Sequence, residues 1–357
     1  MHARGAVRTG ARLGVVALVL ATALAACTSE PPEPPPDVTV TPAVDVTRAA
    51  PPEPTVPVTW PLTGVAAEVT SRPAVAVKIE NTSQARPQSG LQHADVVWET
   101  IVEFQVSRLV AVFHSQLPEE IGPVRSVRPM DIPIASPLRP LFVFSGGQPG
   151  IVQMVNRSTM QPISHDAGAD GLYRIRSRSA PHNVYASLAT ILAQMDADHS
   201  APPAEQFTFA MRPELASAVR GGTPATTLSF RLSSASNPSW TYDATRAQWL
   251  RAEGSTPFMD AVTGGQVGAT NVVSIIAPHP DSGFDAQNSA PVPTYELVGE
   301  GDAVVATGGM TIPARWRKAA DDQPMQLFDA AGAPITLAPG NTWVELVPAG
   351  DGSLTIG

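Results

Sequence analysis

Arg125 and Arg128 stand three residues apart in the run IGPVRSVRP, residues 121–129, one two places after Pro123 and the other directly before Pro129. Proline fixes its own φ and pushes the residue before it toward an extended conformation, so the stretch reads as a rigid turn with an extended exit. Guanidinium groups on constrained backbone can be aimed, and two such forks match the oxygens of a phosphate or carboxylate. Ser126 adds a hydroxyl between them. The structural alternative is that both arginines pair with Asp95, Glu99 or Asp131 and only tie loops together.

A second concentration is RIRSRSAPHNVY, residues 174–185. In extended form Arg174, Arg176 and Arg178 would line one face. His182 and Asn183 would then open a helix whose free N–H groups favour an anion. Plain capping by Asn183 beside a structural His182 is the alternative. Acids gather as well: Asp95, Glu99 and Glu103 step through ADVVWETIVEF at intervals of four, which on a strand puts them on one face. With Arg108 they would floor the arginine turn. Carboxylates beside arginines can act as acid and base or hold a divalent ion such as Mg²⁺ against a bound phosphate; a solvated strand face is equally consistent. No resident cofactor is expected. The histidines lack HxxxH or HxH spacing, which argues against zinc, and no GxSxG elbow, P-loop or GxGxxG is present. SGGQPG, residues 145–150, could cradle an anion between a strand and a helix or simply turn.

The N-terminus sets the compartment. Three arginines precede an apolar run, Leu13 to Leu24, that ends in LAAC. This is the pattern of a signal peptide over residues 1–26, with Cys27 lipidated at the new N-terminus. Cys27 is the only cysteine, so no intramolecular disulfide can form. Residues 27–59 are dense in proline and carry no aromatic residue, which makes a disordered, polyproline-like tether with a reach of roughly 100 Å. The chain holds 23 Lys and Arg against 32 Asp and Glu, a net charge of −9, and loss of the signal removes Arg4, Arg8 and Arg12. Such an acidic chain is a poor nonspecific nucleic-acid binder and gets no electrostatic help onto an anionic membrane, so the lipid must anchor it.

The elements that would position these residues fall into two parts. From 61 to 190 there are eleven Lys and Arg against ten acids; from 191 to 357, eight against seventeen. This asymmetry suggests an N-terminal domain over 60–200 and a C-terminal one over 207–357. Runs at 73–80, 94–104, 107–116 and 140–147 read as strands, and 150–157 and 183–196 as helices, the latter with Asn183 as cap. Trp240, Tyr242 and Trp249 flank a hairpin turn at Asp243, and short strands between Gly and Pro turns follow to the end. The fold class is α+β: an α/β-type sheet domain, then a mostly antiparallel β domain.

The runs PLTG, ARPQSGLQHADVVWE (85–99), SRLVAVF, IGPVRSVRP, SGG, RSRSAPHNVY and PGNTWVELVP occur in one order along the chain. In this the chain resembles the YerB-like bacterial lipoproteins, a two-part domain family of unknown function. The resemblance implies lipid anchoring on the extracytoplasmic face of the cell membrane and a two-part architecture. It makes the residues within those motifs the natural site candidates. The expected function is binding of an anionic envelope ligand, such as a lipid-linked glycan precursor, a wall polymer or a peptide carboxylate, by Arg86, Arg125, Ser126, Arg128, Arg178, His182 and Asn183. One alternative is an envelope phosphoryl or glycosyl enzyme using Asp95, Glu99 and Arg108, similar in layout to LytR-CpsA-Psr phosphotransferases. Another is a scaffold for cell-wall enzymes.

Overall fold

The computed structural model describes residues 57–357. The signal peptide, Cys27 and nearly all of the tether lie outside the described residues. The fold is α+β and strand-dominated.

Its centre is an eleven-stranded sheet. The N-terminal half supplies β1 (Val75–Glu80), β2 (Val96–Ile101), β3 (Ser107–Phe113), β4 (Leu141–Phe144) and β5 (Gln161–Ser164). β3 lies antiparallel between β1 and β2, while β1, β4 and β5 run parallel to one another. The C-terminal half enters the same sheet. Thr342–Pro348 lies parallel between β2 and Asn271–Ala277, and the hairpin Gly299–Thr307 with Met310–Lys318 extends the sheet beyond. The two halves read from charge are thus continuous through one sheet. All seven positions of Thr342–Pro348 are buried, as expected for a parallel strand covered on both faces.

One face packs on helices α1 (Asp131–Ala135) and α2 (Pro149–Arg157), with Trp98, Phe142, Ile151 and Val155 in that core. The other face packs on a second, antiparallel sheet that contains Pro238–Asp243 and Gln248–Glu253, the hairpin expected around Asp243. Trp240, Trp249, Phe258 and Trp343 fill that interface.

The helix expected over 183–196 is a correction. Val184–Ala186 is strand β7, paired with β6 (Leu172–Arg174), and only Leu188–Leu192 is helical, as α3. Val184, Leu188 and Ile191 are buried, Leu192 is half-buried and Met195 exposed, and the first of them answers to a tertiary partner. Val124 donates to the Val184 carbonyl at 2.6 Å, and Ile121 and Ala186 exchange a pair of backbone bonds. The β-branched and aromatic residues here find a ladder, which outweighs their helical spacing. β2 also ends earlier than the run 94–104 suggests, because Glu103–Gln105 forms a tight turn with Phe104 and Gln105 at positive φ.

Candidate functional site

The parallel strands β1 and β4 and the N-terminal end of β3 finish on one side of the sheet, where Glu80, Ser145 and Arg108 sit. Carboxyl ends of parallel strands are where open α/β sheets place their clefts. A cleft of about 830 Å³ opens here. Its lining includes Glu80, Glu103, Phe104, Arg108, Arg125, Ser126, Arg128, Ser145–Gln148, Arg174 and His182. The far wall comes from the C-terminal half, at Asp285–Gln287 and Val292.

The arginine turn is positioned by the backbone on both sides. Arg125 N donates to the Lys78 carbonyl at 2.8 Å, and Ser145 N donates to the Arg125 carbonyl at 3.0 Å, so the segment is stitched to the ends of β1 and β4. The two guanidiniums then diverge. Arg128 is almost wholly buried and grips Glu103 bidentately, Nε donating to Oε2 at 2.6 Å and Nη2 to Oε1, while Nη1 donates to the Val127 carbonyl at 2.7 Å. Arg108 joins the same carboxylate, Nη2 to Glu103 Oε1 at 3.3 Å, and donates to the Ser126 carbonyl at 3.0 Å. Arg125 is only half-buried. Its Nε lies 3.4 Å from Glu80 Oε2 without a hydrogen bond, and its terminal nitrogens donate to no acceptor among the described residues. Ser126 Oγ donates to the Ser145 carbonyl at 3.1 Å.

Glu80 organises the other side. Its Oε1 meets His182 Nδ1 at 2.8 Å and accepts from Thr82 Oγ1 at 2.8 Å, while Oε2 faces Arg125. One carboxylate thereby holds the histidine and the open arginine side by side. Behind them Lys78 donates to Asp131 at 2.6 Å and Thr100 Oγ1 at 3.2 Å, all three buried.

The floor therefore carries three guanidiniums, Arg108, Arg125 and Arg128, against the carboxylates Glu80 and Glu103. Burial registers in the acidities of Arg108, Arg128 and the nearby Lys78. Burial, and then the charge of Arg125, brings Arg108 down to about 10. Burial brings Arg128 to about 10 even with Asp131 opposing it. Burial outweighs Asp131 at Lys78, with Arg108 and Arg128 adding to the fall, to about 8. An anion in the cleft would relieve this crowding. Next to the floor, the N–H groups of Gly146, Gly147 and Gln148 donate to no acceptor among the described residues. The Gln148 side chain already caps Gly150 N and Ile151 N. Gly146 has φ 77°, and a Cβ there would meet Asp166 Oδ2 at 2.6 Å, so the bare backbone is a requirement of the turn.

Of the residues expected from sequence, the cleft brings together Arg108, Arg125, Ser126, Arg128 and His182. Others go elsewhere. Arg86 donates to Asn81 Oδ1 and the Asn81 carbonyl and lies 3.6 Å from Glu253. Arg178 donates to the Gln84 and Pro87 carbonyls at 2.7 and 2.6 Å. Asn183 caps no helix: its Oδ1 accepts from Arg174 Nη1 at 2.6 Å and its Nδ2 donates to the Ile175 carbonyl. Arg176 and Arg178 do not continue the β6 face, because the strand ends at Arg174.

The acid row divides three ways. Asp95 lies at the opposite end of β2, accepting from His114 N, Ser115 N and Ser115 Oγ. Glu99 is buried on the other face of the sheet, paired with Arg251 at 2.8 Å. Only Glu103 reaches the arginine turn, because β2 breaks at Val102 and the tight turn that follows redirects its side chain. Sequence reasoning missed Glu80; the signal was an acid closing the apolar run PAVAVKIE just where a strand ends. Among the described residues no group of three or more His, Cys, Asp and Glu is placed to hold a metal ion.

Two family descriptions match the chain. The N-terminal domain of "Protein of unknown function (DUF3048)" matches residues 62–201 and its C-terminal domain matches residues 228–344. The chain belongs to this two-part, YerB-like family. It is similar to the protein of Bacillus subtilis (strain 168) named "Putative lipoprotein YerB", with 28% identity over 300 residues, 81% of this chain and 86% of the relative. The crystal structure of YerB from Bacillus subtilis matches with a TM-score of 0.71 at 24% identity, over 84% of this chain and 99% of that one, a likeness of fold.

Proposed function

We propose that this chain is an extracytoplasmic lipoprotein, lipidated at Cys27 and tethered by its proline-rich segment, that binds an anionic envelope ligand in the cleft between its two halves. The lipid anchor is supported by the LAAC run and by the name carried by the Bacillus subtilis relative. Among the described residues no helix is long and apolar enough to cross a membrane. The single observation that carries the binding reading is Arg125. It is held by backbone on both sides, its carboxylate neighbour is shared with His182, and it lines a cleft of about 830 Å³ beside three N–H groups that donate to no acceptor among the described residues. A phosphate or a carboxylate on a glycan would answer that array.

The test is a thermal-shift screen of phosphate- and carboxylate-bearing glycans on wild type and Arg125→Ala. Ligands should raise the melting temperature of the wild type and not of the variant; equal shifts would remove Arg125 from the site. Cys27→Ser should move the protein from the membrane to the soluble fraction. Persistence of the variant in salt-washed membranes would refute the anchor.

A second reading, acid–base catalysis, is favoured by one observation. With Nδ1 on Glu80, His182 keeps Nε2 without a partner among the described residues at the cleft wall. Such a histidine has its tautomer set and its second nitrogen free for proton transfer. Turnover of any ligand found in the screen, lost in His182→Gln with binding retained, would support it; identical turnover in the variant would dismiss it.

A further inference from the structure

Phe104 is 65% exposed at the mouth of the cleft, which it lines together with Glu103, Val106 and Arg125. Its backbone is left-handed, φ 62° and ψ 22°, and Gln105 beside it also has φ 62°. Two consecutive non-glycine residues in this region are costly, because Cβ crowds the backbone, and they persist only where surrounding structure imposes them. Here it does. Val102 N donates to the Val106 carbonyl at 2.9 Å and closes the turn, and Ser233 from the C-terminal half donates to the Gln105 carbonyl at 2.5 Å. The turn thus wants glycine or asparagine at 104, and solvent wants a polar group. Phenylalanine satisfies neither, so neither the local fold nor packing accounts for it.

The cleft supplies the missing reason. Past Arg125 it shares Gly146, Gly147, Pro149 and Asp166 with a second groove of about 810 Å³, whose exposed lining includes the amides of Gln153 and Asn156. An isolated phosphate or carboxylate fills a small part of such a space. Uncharged amides and bare glycine backbone suit hydroxyl groups, and an exposed aromatic face suits the apolar face of a ring.

We propose that Phe104 is a ligand-binding residue, a stacking platform for a sugar ring whose acid substituent is held by Arg125. This rests on the reading of the cleft as an anion site and names the class of ligand that fits it: an acidic or phosphorylated sugar.

The experiment is isothermal titration of the purified full-length protein with glucose 1-phosphate, ringless glycerol 3-phosphate and phenyl phosphate, for wild type, Phe104→Gly and Phe104→Trp, with melting curves of each. Wild type should bind glucose 1-phosphate about tenfold more tightly than glycerol 3-phosphate. Phe104→Gly should erase that preference, leave glycerol 3-phosphate binding unchanged and melt at a higher temperature, since glycine accepts the left-handed turn. Phe104→Trp should keep the preference. No binding of any phosphate to wild type would overturn the anion site itself. Equal affinity for both phosphates, or a preference that survives in Phe104→Gly, would overturn the platform and leave the anion site standing. Phenyl phosphate binding as tightly as glucose 1-phosphate, with the same dependence on Phe104, would overturn the sugar assignment.

Discussion

Two clusters of charge lie on opposite faces of the same sheet, built from the same residue types and put to different ends. On the face covered by the second sheet, Arg251 and Glu99 are both fully buried, 2.8 Å apart, and the guanidinium stacks over Phe258 and Trp343 with ring centroids 4.0 and 5.1 Å away. Asn81 and Ser107 complete the Glu99 shell, and Trp240 donates to Glu345 at 2.9 Å. Burial, and then the nearby charge of Glu99, holds the Glu345 carboxyl well above the usual carboxylate range. On the open face, Arg108 and Arg128 are likewise committed to Glu103, yet the terminal nitrogens of Arg125 have no acceptor among the described residues. The lesson is that proximity of arginines to carboxylates does not separate brace from site; what separates them is whether donors remain unspent and reachable.

Substitutions separate the two clusters, and the fully buried pair should respond most strongly. Arg251→Ala leaves Glu99 buried without its partner and should destabilise the fold by roughly 3–5 kcal/mol in urea unfolding, with no change in ligand response per folded molecule. Arg128→Ala strips Glu103 of its bidentate partner but leaves Arg108 in place, so the loss should be smaller, roughly 2–3 kcal/mol by the same assay. A stability unchanged by Arg128→Ala would mean that its fork is not a brace.

A pH effect belongs to the closed end of the sheet, next to Asp95. Burial pushes His114 down to about 4, against the backbone bond its Nε2 makes to Arg72. Its folded value lies below the unfolded one near 6.5, so the unfolded chain takes up the proton first. The stability His114 contributes is complete above about pH 6.5 and is lost as the pH falls toward 4. Unfolding midpoints measured from pH 7 to 4.5 should therefore drop less steeply in His114→Gln than in wild type. Parallel slopes would contradict the assignment. The smallest stability effect is expected at Arg125→Ala, about 1 kcal/mol or less, because its 3.4 Å contact with Glu80 carries no hydrogen bond and the carboxylate keeps His182 and Thr82 as partners.

Much of this arrangement was legible in the sequence. β1, β3, β4 and α2 follow from short apolar runs bounded by glycine, proline and polar residues, and the hairpin around Asp243 from its aromatic flanks. The order of motifs was enough for the family. What escaped was long-range. Nothing local tells Thr342–Pro348 to insert between β2 and Asn271–Ala277, although an unbroken apolar run around one glutamate fits a strand covered on both faces. That insertion creates the second charge cluster and takes Glu99 out of the cleft. The arginine turn was legible as a constrained presenter, but which of its two guanidiniums stays open depends on Glu103, and Glu103 reaches it only through a kink after β2 that strand periodicity does not encode. Val184–Ala186 was misread for a related reason: besides β6 just upstream, it is held by Ile121–Val124, some sixty residues upstream.

Under the proposed function, Arg125 is held ready for a ligand while its neighbour Arg128 holds the turn together. The most direct measurement is glucose 1-phosphate titration and thermal melting of wild type and Arg125→Ala, side by side. Melting curves should nearly coincide, while affinity falls by roughly 1–3 kcal/mol, the worth of a charge-assisted fork. If Arg125→Ala instead melts well below wild type and binds glucose 1-phosphate as tightly, Arg125 is a brace like Arg128 and Arg251, and the cleft is not the site.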